Sequence, residues 1–222
     1  KGRVVFSPQL GWSNLDLQDY LEKELGYKII IDNSIKAKAL AENIYGSAKE
    51  SQKAVYINFG SGVGSALIVN DEIFRGVTTS AGEIGHTTID PDGKLCDCGR
   101  RGCLQTYITD WALIQEAKTV KDIESVKEIF DSFSTGEEWA VNILDRLYRY
   151  IGIAVSNTIC MYNPDTVIMG GTLIEEEKNI KEIFIEKVEE QIWGPFRGTY
   201  KIKLSEPGEE SSLLGMAELV LN

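Results

Sequence analysis

The stretch from Gly82 to Tyr107 limits what this chain can fold into more than any other. It reads Gly82-Glu83-Ile84-Gly85-His86, a loop, then Cys96-Asp97-Cys98-Gly99-Arg100-Arg101-Gly102-Cys103-Leu104-Gln105-Thr106-Tyr107. It holds the single histidine and three of the four cysteines, and one tetrahedral Zn2+ takes four N/S ligands of that kind. Cys96 and Cys98 are separated by one residue, and Gly99 and Gly102 let the backbone fold back to bring Cys103 to the same ion. His86 completes the set from ten residues before Cys96, and Asp90-Pro91-Asp92-Gly93 is turn chemistry that reverses the chain toward the cysteines. A disulfide would leave an odd thiol and no role for the histidine, and three unrelated thiols would leave the spacing unexplained. We read His86, Cys96, Cys98 and Cys103 as a closed structural zinc site.

Composition narrows the partners. The 222 residues carry 23 basic and 34 acidic side chains, a net charge of −11. Such a surface repels phosphate backbones, so this segment is not expected to grip DNA itself, and no basic cluster argues otherwise. With 43% apolar residues there is material for one large domain or two small ones. No apolar run approaches the roughly 20 residues of a membrane span, and no leader precedes Val4. A cytoplasmic location is expected, where thiols stay reduced. The chain starts at Lys1, directly in a strand, and is expected to be a fragment of a longer protein.

In order, the pattern predicts a strand end at Val4-Val5-Phe6 and an irregular crossing from Pro8 to Trp12. A helix capped by Asn14 or Asp16 then carries Leu17, Tyr20, Leu21 and Leu25 and stops at Gly26. Ile29-Ile30-Ile31 reads as a buried strand, followed by Asp32-Asn33-Ser34 and a helix through Ala37, Leu40, Ala41 and Ile44. Ligands bind at the C-terminal ends of strands in open α/β sheets, so Asn33 and Ser34 are candidate substrate contacts; helix capping explains them equally well.

Ala54 to Phe59 alternates, then meets Gly60-Ser61-Gly62-Val63-Gly64 before a strand from Ala66 to Val69. A glycine turn between strands makes a nest of N–H groups that can hold an anion, and a tight hairpin is the plain alternative. Glu83 is either a ligand-facing carboxylate or a surface acid. Beyond Asp110 the chain is helical to Ser134, then forms a long helix from about Glu137 to Tyr162, along which Cys160 is expected in the core. A buried strand, Thr166 to Met169, ends in Gly170-Gly171. A helix from Ile180 to Ile192, a strand from Tyr200 to Leu204 and a helix from Ser212 to Leu221 finish the chain.

Gly-Glu-Ile-Gly-His followed by Cys-x-Cys-Gly-x-x-Gly-Cys resembles the signature of the ROK family, which groups bacterial sugar kinases with sugar-responsive transcriptional repressors. The segment Asp32 to Glu42 is similar to the family's Glu-Asn-Asp-Ala-Asn-Ala-Ala-Ala-Leu-Ala-Glu motif, and Gly60, Ser61, Gly62 and Gly64 to its phosphate loop. The resemblance implies an α/β, ribonuclease-H-like (actin/hexokinase-type) two-lobed sugar kinase fold with its N-terminal lobe incomplete. Residues 1–44 with 205–222 would belong to the smaller lobe, and 45–204 to the larger, zinc-bearing one. It also implies sugar contacts at Asn33, Ser34, Glu83, His86 and Gln105, and a homodimer.

Two departures follow. The motif's Asp, the kinases' general base, is Ser34 here, which can bind a hydroxyl but not deprotonate it near neutral pH. Gln105 stands where many of the kinases have Glu. The resemblance therefore points to the sugar effector domain of a xylose-repressor-like regulator, with operator DNA read by an N-terminal winged-helix domain absent from this segment. The alternative is an ATP-dependent sugar kinase using Mg2+.

Overall fold

The computed structural model describes residues 2–7, 10–175 and 180–221. The chain opens with a two-stranded antiparallel hairpin, β1 (Val4–Ser7) and β2 (Trp12–Leu15). Pro8 and Gln9 of the expected crossing segment lie outside the described residues, and the crossing ends where β2 begins. Helix α1 (Leu17–Leu25) closes on Gly26 in the left-handed region, as the glycine predicted, yet buries none of its residues. Asp16 is its N-cap without a side-chain hydrogen bond, while Asn14 lies within β2.

The expected strand at Ile29-Ile30-Ile31 is not one. These residues carry no regular secondary structure and have no ladder partner among the described residues, and Ile30 is 38% exposed. A β-branched run favours extended backbone, but a strand exists only where a neighbour supplies the hydrogen bonds.

Helix α2 (Ser34–Tyr45) leads into a five-stranded sheet: β3 (Lys53–Asn58), β4 (Gly64–Val69), β5 (Glu72–Phe74), β6 (Thr166–Gly170) and β7 (Lys201–Leu204). The spatial order is β5-β4-β3-β6-β7, with β3, β4 and β5 antiparallel and β6 and β7 parallel to β3. This is the ribonuclease-H-like arrangement of the actin/hexokinase class. Between β5 and β6 come a short helical turn (Ile84–His86) and α3 (Gln105–Ile108), α4 (Asp110–Ala117), α5 (Val126–Ser134) and α6 (Glu138–Tyr162). The helical stretch expected from Asp110 to Ser134 is thus broken near Lys118, and Ser125 restarts it with a capping box to Glu128. After β6 come α7 (Thr172–Glu175) and α8 (Ile180–Gln191), and after β7 the closing helix α9 (Ser211–Leu221).

The alternation of β3 sorts its side chains into two cores. Val55 and Ile57, with Val167 and Met169 of β6, face Leu144, Leu147, Ile151, Val155 and Ile159 of α6 and Phe184 and Val188 of α8. Ala54 and Tyr56, with Ile168, face Ala39 of α2. Burial on both faces explains why β6 reads as an apolar run and why both sides of the alternation in β3 are covered. Each fully buried Leu or Ile on the α6 stripe contributes about 1.5–3 kcal/mol of transfer free energy. Cys160, expected inside, lies on the exposed side of α6 instead, one position past the stripe residue Ile159.

On the other face α9 packs on α2. Gly215 permits this contact, because a Cβ there would lie 1.8 Å from the Ala37 carbonyl oxygen. The Tyr45 hydroxyl adds a hydrogen bond to Glu218 across the same helix pair. Gly215→Ala should therefore lower stability by about 1–3 kcal/mol despite the better helix propensity of alanine, with the loss read by chemical denaturation.

Candidate functional site

Three backbone segments meet at the C-terminal end of β3. The first is the glycine turn Gly60–Gly64. The second is the turn Gly82–His86, which lies directly on it: Ser65 N donates to Gly82 O at 2.7 Å, and a Cβ at Gly82 or Gly85 would stand 1.9 Å from Ser65 O or 2.3 Å from Val63 O. Only glycine tolerates that contact, and Gly82 also has φ +98°. The third is the N-terminus of α2, whose Ile35 side chain covers Gly64. Asn33, Ser34, Glu83 and His86, remote in sequence, are carried by these adjoining segments.

The side chains are in different states. Asn33 is exposed and caps its own helix, its Oδ1 accepting from Ile35 N at 2.9 Å and Lys36 N at 3.3 Å, so the capping reading holds for that oxygen. Ser34 is exposed at the first position of α2. Glu83 is exposed and interacts electrostatically with Lys36. The amide of Gln105 is turned toward the cysteines, with Nε2 3.5 Å from Cys96 Sγ.

The Cys/His cluster is assembled. One donor atom from each of His86, Cys96, Cys98 and Cys103 lies within 4.8 Å of the others. His86 Nδ1 is 3.7 Å from Cys96 Sγ, and Cys98 Sγ is 3.6 Å from Cys103 Sγ. A disulfide needs about 2.0 Å, whereas a tetrahedron with ~2.3 Å metal–sulfur bonds has edges of about 3.8 Å, so the spacing fits a four-coordinate cation. Cys96 and Cys103 are buried.

Local backbone geometry builds this set. A Cβ at Gly102 would lie 1.5 Å from Asp90 O, and isolated bridges pair Thr88 with Cys103 and Leu95 with Arg101. Tyr107 locks the loop by accepting from Lys94 N at 2.9 Å and donating to Asp90 at 3.1 Å. Burial opposes ionisation of Cys98, but Arg100, through its N–H and guanidinium, and the neighbouring thiols outweigh it and bring Cys98 down to about 6. Burial first, then the adjacent Cys98 and Cys96, push Cys103 up to about 12. A cation entering the cluster would expel the remaining thiol protons. With Nδ1 toward the cluster, the other imidazole nitrogen, Nε2, is left for a second partner.

Sequence reasoning missed a charged network beside the site. Arg75 grips both oxygens of Asp32, at 2.8 and 2.7 Å. Burial pushes the Asp32 carboxyl up, and Arg75 with Asn33 N–H more than reverses this, holding it below the usual carboxylate range. Lys36 is 3% exposed and donates to Thr79 O; burial lowers its pKa, opposed by Asp32 and Glu83. Thr79 itself has φ +63°, a strained setting for a β-branched residue. The only sequence signal was an acid preceding Asn33 and a lysine within a helix of small residues, neither of which names its partner.

Comparison with known proteins agrees with the class that the fold and site define, the sugar kinases and repressors of the actin/hexokinase type. A profile of the ROK family matches residues 1–222. The chain belongs to the ROK family. The xylose repressor of Bacillus subtilis is 28% identical over 220 residues, covering 99% of this chain and 57% of the repressor. The glucokinase of Thermotoga maritima is also 28% identical, over 235 residues, covering 99% of this chain and 74% of the enzyme. Among solved structures, a ROK family glucokinase from Streptomyces griseus in complex with glucose and AMPPNP superposes with a TM-score of 0.88 at 25% identity, covering 98% of this chain and 76% of that one. A ROK family transcriptional regulator, a homologue of the Escherichia coli Mlc protein, gives 0.79 at 27% identity, covering 97% and 59%. The chain thus spans little more than half the length of the repressors it matches. No helix among the described residues is long and apolar enough to cross a membrane.

Two outcomes test this geometry. Cys103→Ser should abolish stoichiometric Zn2+ uptake, measured by elemental analysis after dialysis, and chelation of the unmodified protein should lower its melting temperature. Asp32→Asn should cost about 1–2 kcal/mol at neutral pH. Because the folded-state pKa of Asp32 is depressed, that stabilisation is present above the unfolded value near ~3.9 and is lost as pH falls through the lower folded value. Melting curves of the two proteins should therefore converge in acid.

Proposed function

We propose that this chain is the sugar-binding effector domain of a ROK-family transcriptional repressor. A sugar would sit where the segments carrying Asn33, Ser34, Glu83 and His86 adjoin the glycine turn, with Gln105 reached from beside Cys96, and would change DNA affinity by binding two arrangements of the protein unequally. Operator DNA would be read by a winged-helix domain outside these 222 residues, consistent with a net charge of −11 that repels phosphate backbones. Zn2+ on His86, Cys96, Cys98 and Cys103 would orient the imidazole so that Nε2 meets a sugar hydroxyl, with no chemistry of its own. We further assign 1–44 with 205–222 to a smaller lobe and 45–204 to a larger one, and infer a homodimer working in the cytoplasm.

The observation that carries this reading is Ser34 at the position where the family motif has its Asp, with the neighbouring carboxylate already engaged. Asp32, two residues away, is held in a two-pronged ion pair by Arg75. Losing a positioned general base typically costs about a hundredfold to ten-thousandfold in rate.

The second reading is an ATP-dependent sugar kinase using Mg2+. It is favoured by the glycine turn, Gly60, Ser61, Gly62 and Gly64, which stands beside Gly170 and Gly171: Phe59 N donates to Gly170 O at 2.8 Å, and a Cβ at Gly171 would lie 2.3 Å from Phe59 O. Calorimetric titration with a panel of free sugars, with and without Mg-ATP, followed by an assay for ADP, separates the two. Saturable sugar binding without ADP release is expected; steady turnover would establish the kinase and require another base.

A further inference from the structure

The loop between β5 and the Gly82–His86 turn is fastened at its base and at one point of its tip. The tip residues Val77, Thr78, Thr79 and Ser80 are exposed, Val77 completely so. The base is closed by Ala81 N donating to Arg75 O at 3.2 Å, and Gly76, at φ +70°, turns the chain into the tip. Inside the tip, Thr79 N donates to Gly76 O at 3.4 Å and Ser80 Oγ to Thr78 O at 3.4 Å. Among the described residues, one hydrogen bond joins the tip to the rest of the protein: Lys36 Nζ donates to Thr79 O.

Both anchors come from the start of α2. Arg75 at the base grips Asp32, and Lys36 lies four residues beyond that acid. The same stretch carries Asn33 and Ser34, and the loop itself runs on into Gly82 and Glu83. It thus connects the two segments between which a sugar is placed above.

The contact at the tip is held against strain. Thr79 has φ +63°, a backbone setting that a β-branched residue keeps only where its surroundings impose it. Lys36 gives up water to reach a neutral carbonyl, being 3% exposed, and the charges of Asp32 and Glu83 offset that cost. The family motif has Asn at this position, a shorter side chain without a charge. The Lys36 contact is therefore a property of this chain's own sequence.

We propose that residues 76–81 form a lid on the sugar site, latched to α2 by Lys36, and that the latch prolongs the stay of a bound effector. This rests on the sugar-binding reading above and adds a moving part to it. The base stays in place, because Arg75 is paired with Asp32 and Gly82 lies on Ser65, so opening is a movement of the tip. Relief of strain at Thr79 favours the open tip and the Lys36 hydrogen bond favours the closed one. A ligand beneath the lid shifts that balance by binding the closed arrangement better.

The test uses Lys36→Asn, Lys36→Met, which keeps the buried stem and loses the donor, and Thr79→Asn, since asparagine enters the left-handed region more readily than threonine. Elastase cleavage between Val77 and Ala81, followed by fragment masses, should be tenfold or more faster in both Lys36 variants than in the unmodified protein. Thr79→Asn should raise the melting temperature of the unmodified protein and leave that of Lys36→Asn unchanged, because an unlatched Thr79 has already relaxed. Equal cleavage rates, or a Thr79→Asn effect of the same size in both backgrounds, overturns the latch. Dissociation of bound glucose, mannose or xylose, followed by stopped-flow tryptophan fluorescence, should be tenfold or more faster in Lys36→Asn. Faster cleavage with unchanged dissociation overturns the lid and leaves sugar binding standing. If none of these sugars binds the unmodified protein, the sugar-binding reading falls and the lid with it.

Discussion

Everything at the site depends on one close contact, the backbone of Gly82–His86 lying on the backbone of Val63–Ser65. Side chains are excluded there by carbonyl oxygens at 1.9 and 2.3 Å from where a Cβ would stand. The contact ties the glycine turn to the His86 segment and, through His86, to the cysteine cluster. It also sets the distance at which Ile35, and with it the start of α2, can close over Gly64. A metal at the four donors would fasten one end of this assembly, and the sheet fastens the other.

Electrostatics then divides the site into two parts. On one side Asp32, Arg75, Lys36 and Glu83 satisfy one another, with Lys36 reaching the carbonyl of strained Thr79. Such a network is held by mutual pairing, and removing one member leaves a charge without a partner. On the other side Lys38 is met by a neutral amide. Among the described residues the same helix thus sets Lys36 against two acids and Lys38 against a neutral amide, two residues apart.

The Cys/His loop was legible because its chemistry is local. Cysteine and histidine at fixed spacing, glycines that permit reversal and an Asp-Pro-Asp-Gly turn lie within 22 residues of chain, and the four donors do converge. The strands β3 and β6 and the stripe of α6 were legible too, since apolar runs and helical periodicity report burial directly. Ile29-Ile30-Ile31 misled because its residues are right for a strand while pairing depends on a neighbour that sequence does not locate. Cys160 misled because residue type says little about which side of a helix faces the core. The contact of the Gln105 amide with Cys96 Sγ is a matter of tertiary placement that residue type does not forecast.

The sequence by itself determined the Cys/His set that converges, the glycines at which backbones must touch, Ser34 where the family motif has Asp, and the family. These are matters of residue identity and short-range geometry. The tertiary structure alone decided which charges meet: that Arg75 closes on Asp32 across 43 residues of chain, that Lys36 is buried and that Lys38 reaches Asn58. Charge pairing between distant segments depends on how helix α2 is laid against the sheet, and that placement follows from contacts such as Ile35 on Gly64 and Ala37 against Gly215, which no local pattern encodes.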